Sequence, residues 1–217
     1  MTHCDPYPIY SRAERIADAA LHVLGVALAI AGTVLLIVWA SGTADAGRIA
    51  GVSIYGAALI ASFVASACYH FTPWEQLRPT LRRVDHAAIY LKIAGTYTPL
   101  VVLIGSAFGY GVLAVVWTLA MLGAVTKLFF WSRPSRWGAG LYLGLGWISV
   151  ALLGALVPVV PVASLVLIGV GGLVYSLGAV LFSLDPWRFQ NAVWHGFVLV
   201  ASVCFFVAIA LAITALP

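Results

Sequence analysis

The sequence predicts an all-α polytopic membrane protein, a bundle of seven transmembrane helices with its amino terminus in the cytoplasm and its carboxyl terminus external. Three observations lead there. Of the 217 residues, 63% are hydrophobic and only 8% charged, against about 25% charged in an average soluble domain. So much apolar surface needs the bilayer as its solvent. Apolar runs of spanning length recur along the chain with clear punctuation between them, and almost every Lys and Arg falls on one side of the pattern.

The first span is expected at 17–40. Its apolar run, Leu21 to Ala40, exceeds the hydrophobic region of a cleavable signal and follows acidic Glu14 and Asp18, so it reads as a retained helix. Ser41 to Gly47 closes it. The second span, 48–70, ends at Thr72 to Arg83, which holds two prolines and three arginines. The third, 84–104, stops at the glycine-bounded turn Gly105 to Gly109. The fourth covers 110–131, before Ser132 to Trp137. The fifth, 138–157, meets Pro158 and Pro161. The sixth covers 162–183 and the seventh 191–214, with Leu184 to Gln190 between them. Residues 1–217 read as one membrane domain with no soluble or low-complexity segment.

Orientation follows from the basic residues. Arg12, Arg15, Arg78, Arg82, Arg83, Lys127, Arg133, Arg136 and Arg188 lie on the amino-terminal side, only Arg48 lies on the other, and Lys92 lies within a span. By the positive-inside rule the amino terminus is cytoplasmic and Pro217 is external. Trp74, Trp131, Trp137 and Trp187 then form an interfacial belt. The net charge of +4 is scattered among loops, which argues against a nucleic-acid partner and leaves membrane lipids as the expected ones. Cys4, Cys68 and Cys204 make no disulfide framework, and nothing marks an oligomerisation face.

Ionisable groups within spans are costly, and here they gather at the cytoplasmic end. Glu14, Asp18 and His22 are spaced by four, as are Ser62, Ser66 and His70, so each set shares a helical face. Asp85 and His86 open the third span, with Lys92 on Asp85's face. Asn191 and His195 open the seventh, and Ser202 continues their face. Singly, each has an ordinary explanation: an interfacial histidine, a small serine at a helix contact, or an aspartate favouring a helix amino end. Jointly they should converge on one polar cluster open to the cytoplasm. Two imidazoles and a carboxylate from three helices are common materials of a zinc site, and a buried carboxylate beside a water can act as general base. No helix offers a His pair spaced by four, so chemistry alone leaves the metal open.

The stretches Glu14–Gly25, Ser66–His70, Asp85–Pro99 and Asn191–Val200 identify a resemblance. The sequence resembles the bacterial hemolysin III family, a branch of the progestin and adipoQ receptor superfamily that includes the adiponectin receptors. The resemblance implies a zinc ion held by a His ending the second span and by an HxxxH pair opening the seventh, with an acidic residue of the third span beside a bound water. His70 matches the first ligand, His195 the second member of the pair, Asp85 the acidic residue, and Ser66 the serine that faces the water. Asn191 stands where the first His of the pair is expected, and an amide oxygen is a poorer zinc ligand than imidazole. Lys92 replaces an expected aliphatic residue. It lies about 10 Å along the helix from Asp85 at ~1.5 Å per residue, so its ammonium could reach back to that carboxylate and take the place of the missing cation.

The superfamily looks like a group of intramembrane metal-dependent hydrolases, similar to alkaline ceramidases. It implies zinc-dependent cleavage of a lipid amide or ester, with Asp85 as base and Ser66 positioning water or oxyanion. A non-enzymatic receptor or membrane-homeostasis protein with a degenerate metal site is the alternative, favoured by Asn191. Cytolysis is a third reading, favoured only by the family name.

Overall fold

Ser11 starts the first helix. Its hydroxyl accepts from the Glu14 N–H while the Glu14 carboxylate accepts from the Ser11 N–H, a reciprocal cap that sets α1, Arg12–Thr43. Asp45 accepts from the Arg48 N–H to begin α2, Ala46–Phe71. In α3, Arg78–Ile104, Pro79 sits in the first turn, where a missing N–H costs nothing, and Gly105 ends the helix in the left-handed region at φ 63°. Ser106 caps α4, Ala107–Phe129. Next come α5, Trp137–Trp147, a 3₁₀ turn over Ile148–Leu152 and the short α6, Leu153–Leu156. They are followed by α7, Val162–Phe182, and α8, Gln190–Thr214. This computed structural model describes residues 10–130, 137–184 and 186–215. Cys4, Trp131, Arg133, Arg136 and Pro217, used in the sequence reading, lie outside them, as does the Trp137 side chain.

The result is a polytopic helical membrane bundle. Among the described residues, six helices (α1 to α4, α7 and α8) are long and apolar enough to cross a bilayer. Two begin five or six residues earlier than the hydropathy pattern implies. α1 starts at Arg12 and α3 at Arg78, because caps and a proline, not the first apolar residue, set a helix start. The fifth segment differs from the continuous span expected at 138–157. The Tyr97 hydroxyl of α3 bridges the carbonyl oxygens of Leu145 at 2.9 Å and Gly146 at 2.6 Å, the acceptors an α-helix would use four residues on. With those carbonyls engaged from outside, the ladder tightens to 3₁₀ over Ile148–Leu152.

Small residues let the helices approach closely. A Cβ on Gly95 would stand 2.7 Å from the Ala58 Cβ, so α3 and α2 pack nearly backbone to backbone, and one on Gly178 would stand 2.6 Å from the Phe197 Cβ, which seats α8 on α7. Val23, Leu35, Val162 and Leu173 point outward, as lipid-facing side chains do. For the site, the decisive neighbour relation is that α1 packs against both α2 and α8. Phe189 secures that arrangement just before α8. It holds φ 63°, uncommon outside glycine, and its N–H donates to Glu14 Oε1 of α1 at 3.0 Å.

Candidate metal centre

Three imidazoles from three helices meet at one end of the bundle. His22 comes from α1, His70 from the end of α2 and His195 from the second turn of α8. One ring nitrogen from each lies within 4.8 Å of the others, and the ring centroids are 4.2 to 5.2 Å apart. His22 is buried, while the other two are partly buried.

Asp18, one turn before His22 and itself buried, orients the group. Its Oδ1 lies 2.6 Å from His195 Nδ1, and its Oδ2 lies 3.7 Å from His70 Nδ1. Its backbone carbonyl is 2.8 Å from His22 Nδ1. A carbonyl can only accept, so His22 carries its proton on Nδ1 and presents the Nε2 lone pair. The short contact with a carboxylate puts the His195 proton on Nδ1 in the same way. Both Nε2 atoms face Ser66 Oγ, at 3.2 Å for His22 and 3.5 Å for His195. A carboxylate behind an imidazole fixes its orientation and raises its basicity, which is the usual outer support of a metal ligand. Three imidazoles, each with a ring nitrogen this close to the other two, match the three-ligand, open-position donor set of a catalytic zinc site.

The structure places the other sequence-derived candidates around this group. Asp85 is buried at the start of α3, close enough to Ser66 and His195 to interact electrostatically with both. Its Oδ2 lies 3.6 Å from His86 Nδ1. Asn191, on the face of His195 one turn earlier, donates Nδ2 to the Tyr10 hydroxyl at 3.0 Å. The third imidazole is His22, which the sequence put on the polar face of α1 but gave no ligand role. The signal that could have found it was its four-residue spacing from Asp18, the same spacing that relates Ser66 to His70 and Asn191 to His195.

Lys92 does not reach back to Asp85. Its Nζ donates to Ser202 Oγ of α8 at 2.8 Å and to the Tyr175 hydroxyl of α7. It also lies over the Phe63 ring of α2 at 4.7 Å, so the buried ammonium is shared among α2, α7 and α8.

Comparison with known proteins agrees with this picture. The Haemolysin-III related family matches residues 11–206. The chain is 34% identical over 196 residues to the "Hemolysin-3 homolog" of Bacillus subtilis (strain 168), covering 89% of this chain and 91% of that protein. It is 33% identical over 194 residues to "Hemolysin-3" of Bacillus cereus, covering 89% of each. The human "Monocyte to macrophage differentiation factor" is 30% identical over 169 residues, 72% of this chain and 67% of that protein.

Proposed function

We propose that this chain, which belongs to the Haemolysin-III related family, is an intramembrane hydrolase that cleaves an amide or ester bond of a membrane lipid with the help of zinc. The observation that carries the proposal is the convergence of His22, His70 and His195 around Ser66, backed by Asp18. We assign the ligand roles to these three imidazoles and leave Asn191 to its bond with Tyr10. A zinc ion there would supply Lewis acidity, which polarises a carbonyl and acidifies water.

The chain's own residues do the remaining work. Asp18 holds His195 by Nδ1 and keeps its Nε2 unprotonated. Ser66 Oγ, between two imidazoles and facing Asp85, positions the attacking water or the developing oxyanion. Asp85 accepts the proton of that water as general base and returns it to the leaving amine or alkoxide. The buried wall of α1, α2 and α8 around the group limits competing water.

The test is zinc content and fatty-acid release by the purified protein in lipid nanodiscs. The expected outcome is stoichiometric zinc, with release of fatty acid from an amide or ester lipid that stops on chelation. Zinc-free wild-type protein without lipid cleavage would favour the alternative, a non-enzymatic receptor or membrane-homeostasis protein. The bond between Asn191 and Tyr10 is the observation that favours that alternative, since it uses an expected ligand position for a structural tie.

We also propose that the site opens to the cytoplasm, on the strength of nine basic residues on the amino-terminal side against Arg48. Reporter fusions after residues 76, 135 and 187 should read cytoplasmic and one at Pro217 external. A cytoplasmic reading at Pro217 would overturn this orientation.

A further inference from the structure

Two grooves run end to end along the outer side of α1 and lead to the imidazole group from the lipid side. The first, about 370 Å³, lies at the start of α1 and is lined by Tyr10, Arg12, Arg15 and Ile16. The second, about 470 Å³, lies between α1 and α2 and is walled by Val23, Val26, Ala27 and Ala67, with His22 reaching its floor. Ala19 and Phe71 line both, so the two form one channel. Its lower part is almost wholly apolar, and small side chains on α1 and α2 make the depression.

The upper part is basic. Arg12 and Arg15 are exposed, and neither guanidinium has a carboxylate partner among the described residues. The nearest acid in sequence, Glu14, is committed elsewhere, accepting from the Phe189 N–H and from Ser11. From Arg12 to Val26 the helix rises about 21 Å at ~1.5 Å per residue, comparable to half of a bilayer's ~40 Å total thickness. The channel therefore has the length and polarity gradient of one lipid in one leaflet, and a charge complementary to an anionic headgroup.

We propose that this channel binds a single anionic glycerophospholipid, its phosphate between Arg12 and Arg15 and one acyl chain along Val23, Val26 and Ala67. The lipid's linkage region then lies at Ala19 and Phe71, beside His22, whose ring meets the Phe71 ring edge to face at 5.1 Å. The lipid arrives laterally through the α1–α2 face and not through the cytoplasmic mouth. As a statement of binding this stands apart from the hydrolase reading. As a statement of substrate class, a phosphate-bearing lipid, it rests on that reading.

The experiment is native mass spectrometry of the full chain released from phosphatidylcholine nanodiscs containing phosphatidylglycerol. Wild type is expected to retain one phosphatidylglycerol in preference to phosphatidylcholine. Arg12→Gln with Arg15→Gln should reduce that retention about tenfold or more, since each basic residue near an anionic lipid contributes measurably. Ala27→Trp, which fills the exposed apolar gutter, should reduce it comparably, while Arg188→Gln should leave it unchanged. Equal retention by all variants, or equal retention of both lipids, would overturn the proposal. So would phosphatidylglycerol retention that appears only after deletion of residues 1–9, because the occupant would then be the chain's own amino-terminal segment. Zinc content and fatty-acid release measured on the same samples separate the two claims. Lipid selectively retained without hydrolysis upholds the channel and sinks the hydrolase, whereas hydrolysis with unselective retention does the reverse.

Discussion

Two polar clusters are buried in this bundle, and they solve the cost of burial in opposite ways. At the end of the bundle, Asp18 faces three imidazoles, each able to shed its proton and become neutral. Deeper, Lys92 is held by two hydroxyls, Ser202 and Tyr175, and lies over the Phe63 and Tyr175 rings, with no carboxylate partner among the described residues. The first arrangement brings one ring nitrogen from each of three helices within 4.8 Å of the others and so has coordination chemistry to offer. The second, an ammonium without a lone pair, donates two of its three N–H bonds to hydroxyls of α7 and α8 and so ties α3 to both. A buried polar group is therefore a poor guide to function by itself. What distinguishes the clusters is whether lone pairs able to bind a cation are present once internal bonds are made.

That contrast can be broken most directly by removing imidazoles. His22→Ala, His70→Ala and His195→Ala should each take bound zinc from stoichiometric to undetectable by elemental analysis, because two imidazoles and water do not make a tight site. Zinc retained by His22→Ala would return the third ligand position to Asn191. Next in size is Asp18→Asn, which keeps the shape but weakens the hold on His195. It should lower zinc affinity by about 10- to 100-fold in a competition titration against a chelator, and an unchanged affinity would reduce Asp18 to a packing role.

Lys92→Met sharpens the contrast from the other side. Zinc content should be unaffected, and stability in a thermal or denaturant assay should change by about 2 kcal/mol or less in either direction, as replacing a buried charge by an apolar chain often does. Loss of zinc in this variant would show the two clusters to be coupled. The smallest expected effect is that of Asn191→Ala, which removes one hydrogen bond to Tyr10 and should cost about 1 kcal/mol with zinc retained. Zinc loss there would identify Asn191 as a ligand after all.

Much of the site was legible before the fold was known, and the limits of that reading are informative. The four-residue spacings of Asp18 and His22, Ser66 and His70, and Asn191 and His195 put each pair on one helical face, and their common depth pointed to a cluster. Spacing within a helix says nothing about which other face it meets. His22 enters the group only because α1 packs between α2 and α8. The direction of Lys92 was equally hidden, since a long side chain at known depth can serve Asp85 or Ser202, and only the placement of α7 and α8 selects the latter.

By itself the sequence determined that the chain lives in a membrane, roughly where most of its helices lie, and which family it belongs to, because hydropathy and short motifs are local properties of the chain. The tertiary structure alone decided which imidazoles share a site, which carboxylate orients them, and why the fifth segment is broken by a tyrosine from another helix. Those outcomes depend on contacts between residues far apart in sequence, such as the 177-residue separation of Asp18 and His195. Periodicity along one helix reports the direction of a side chain and cannot report the partner it will meet.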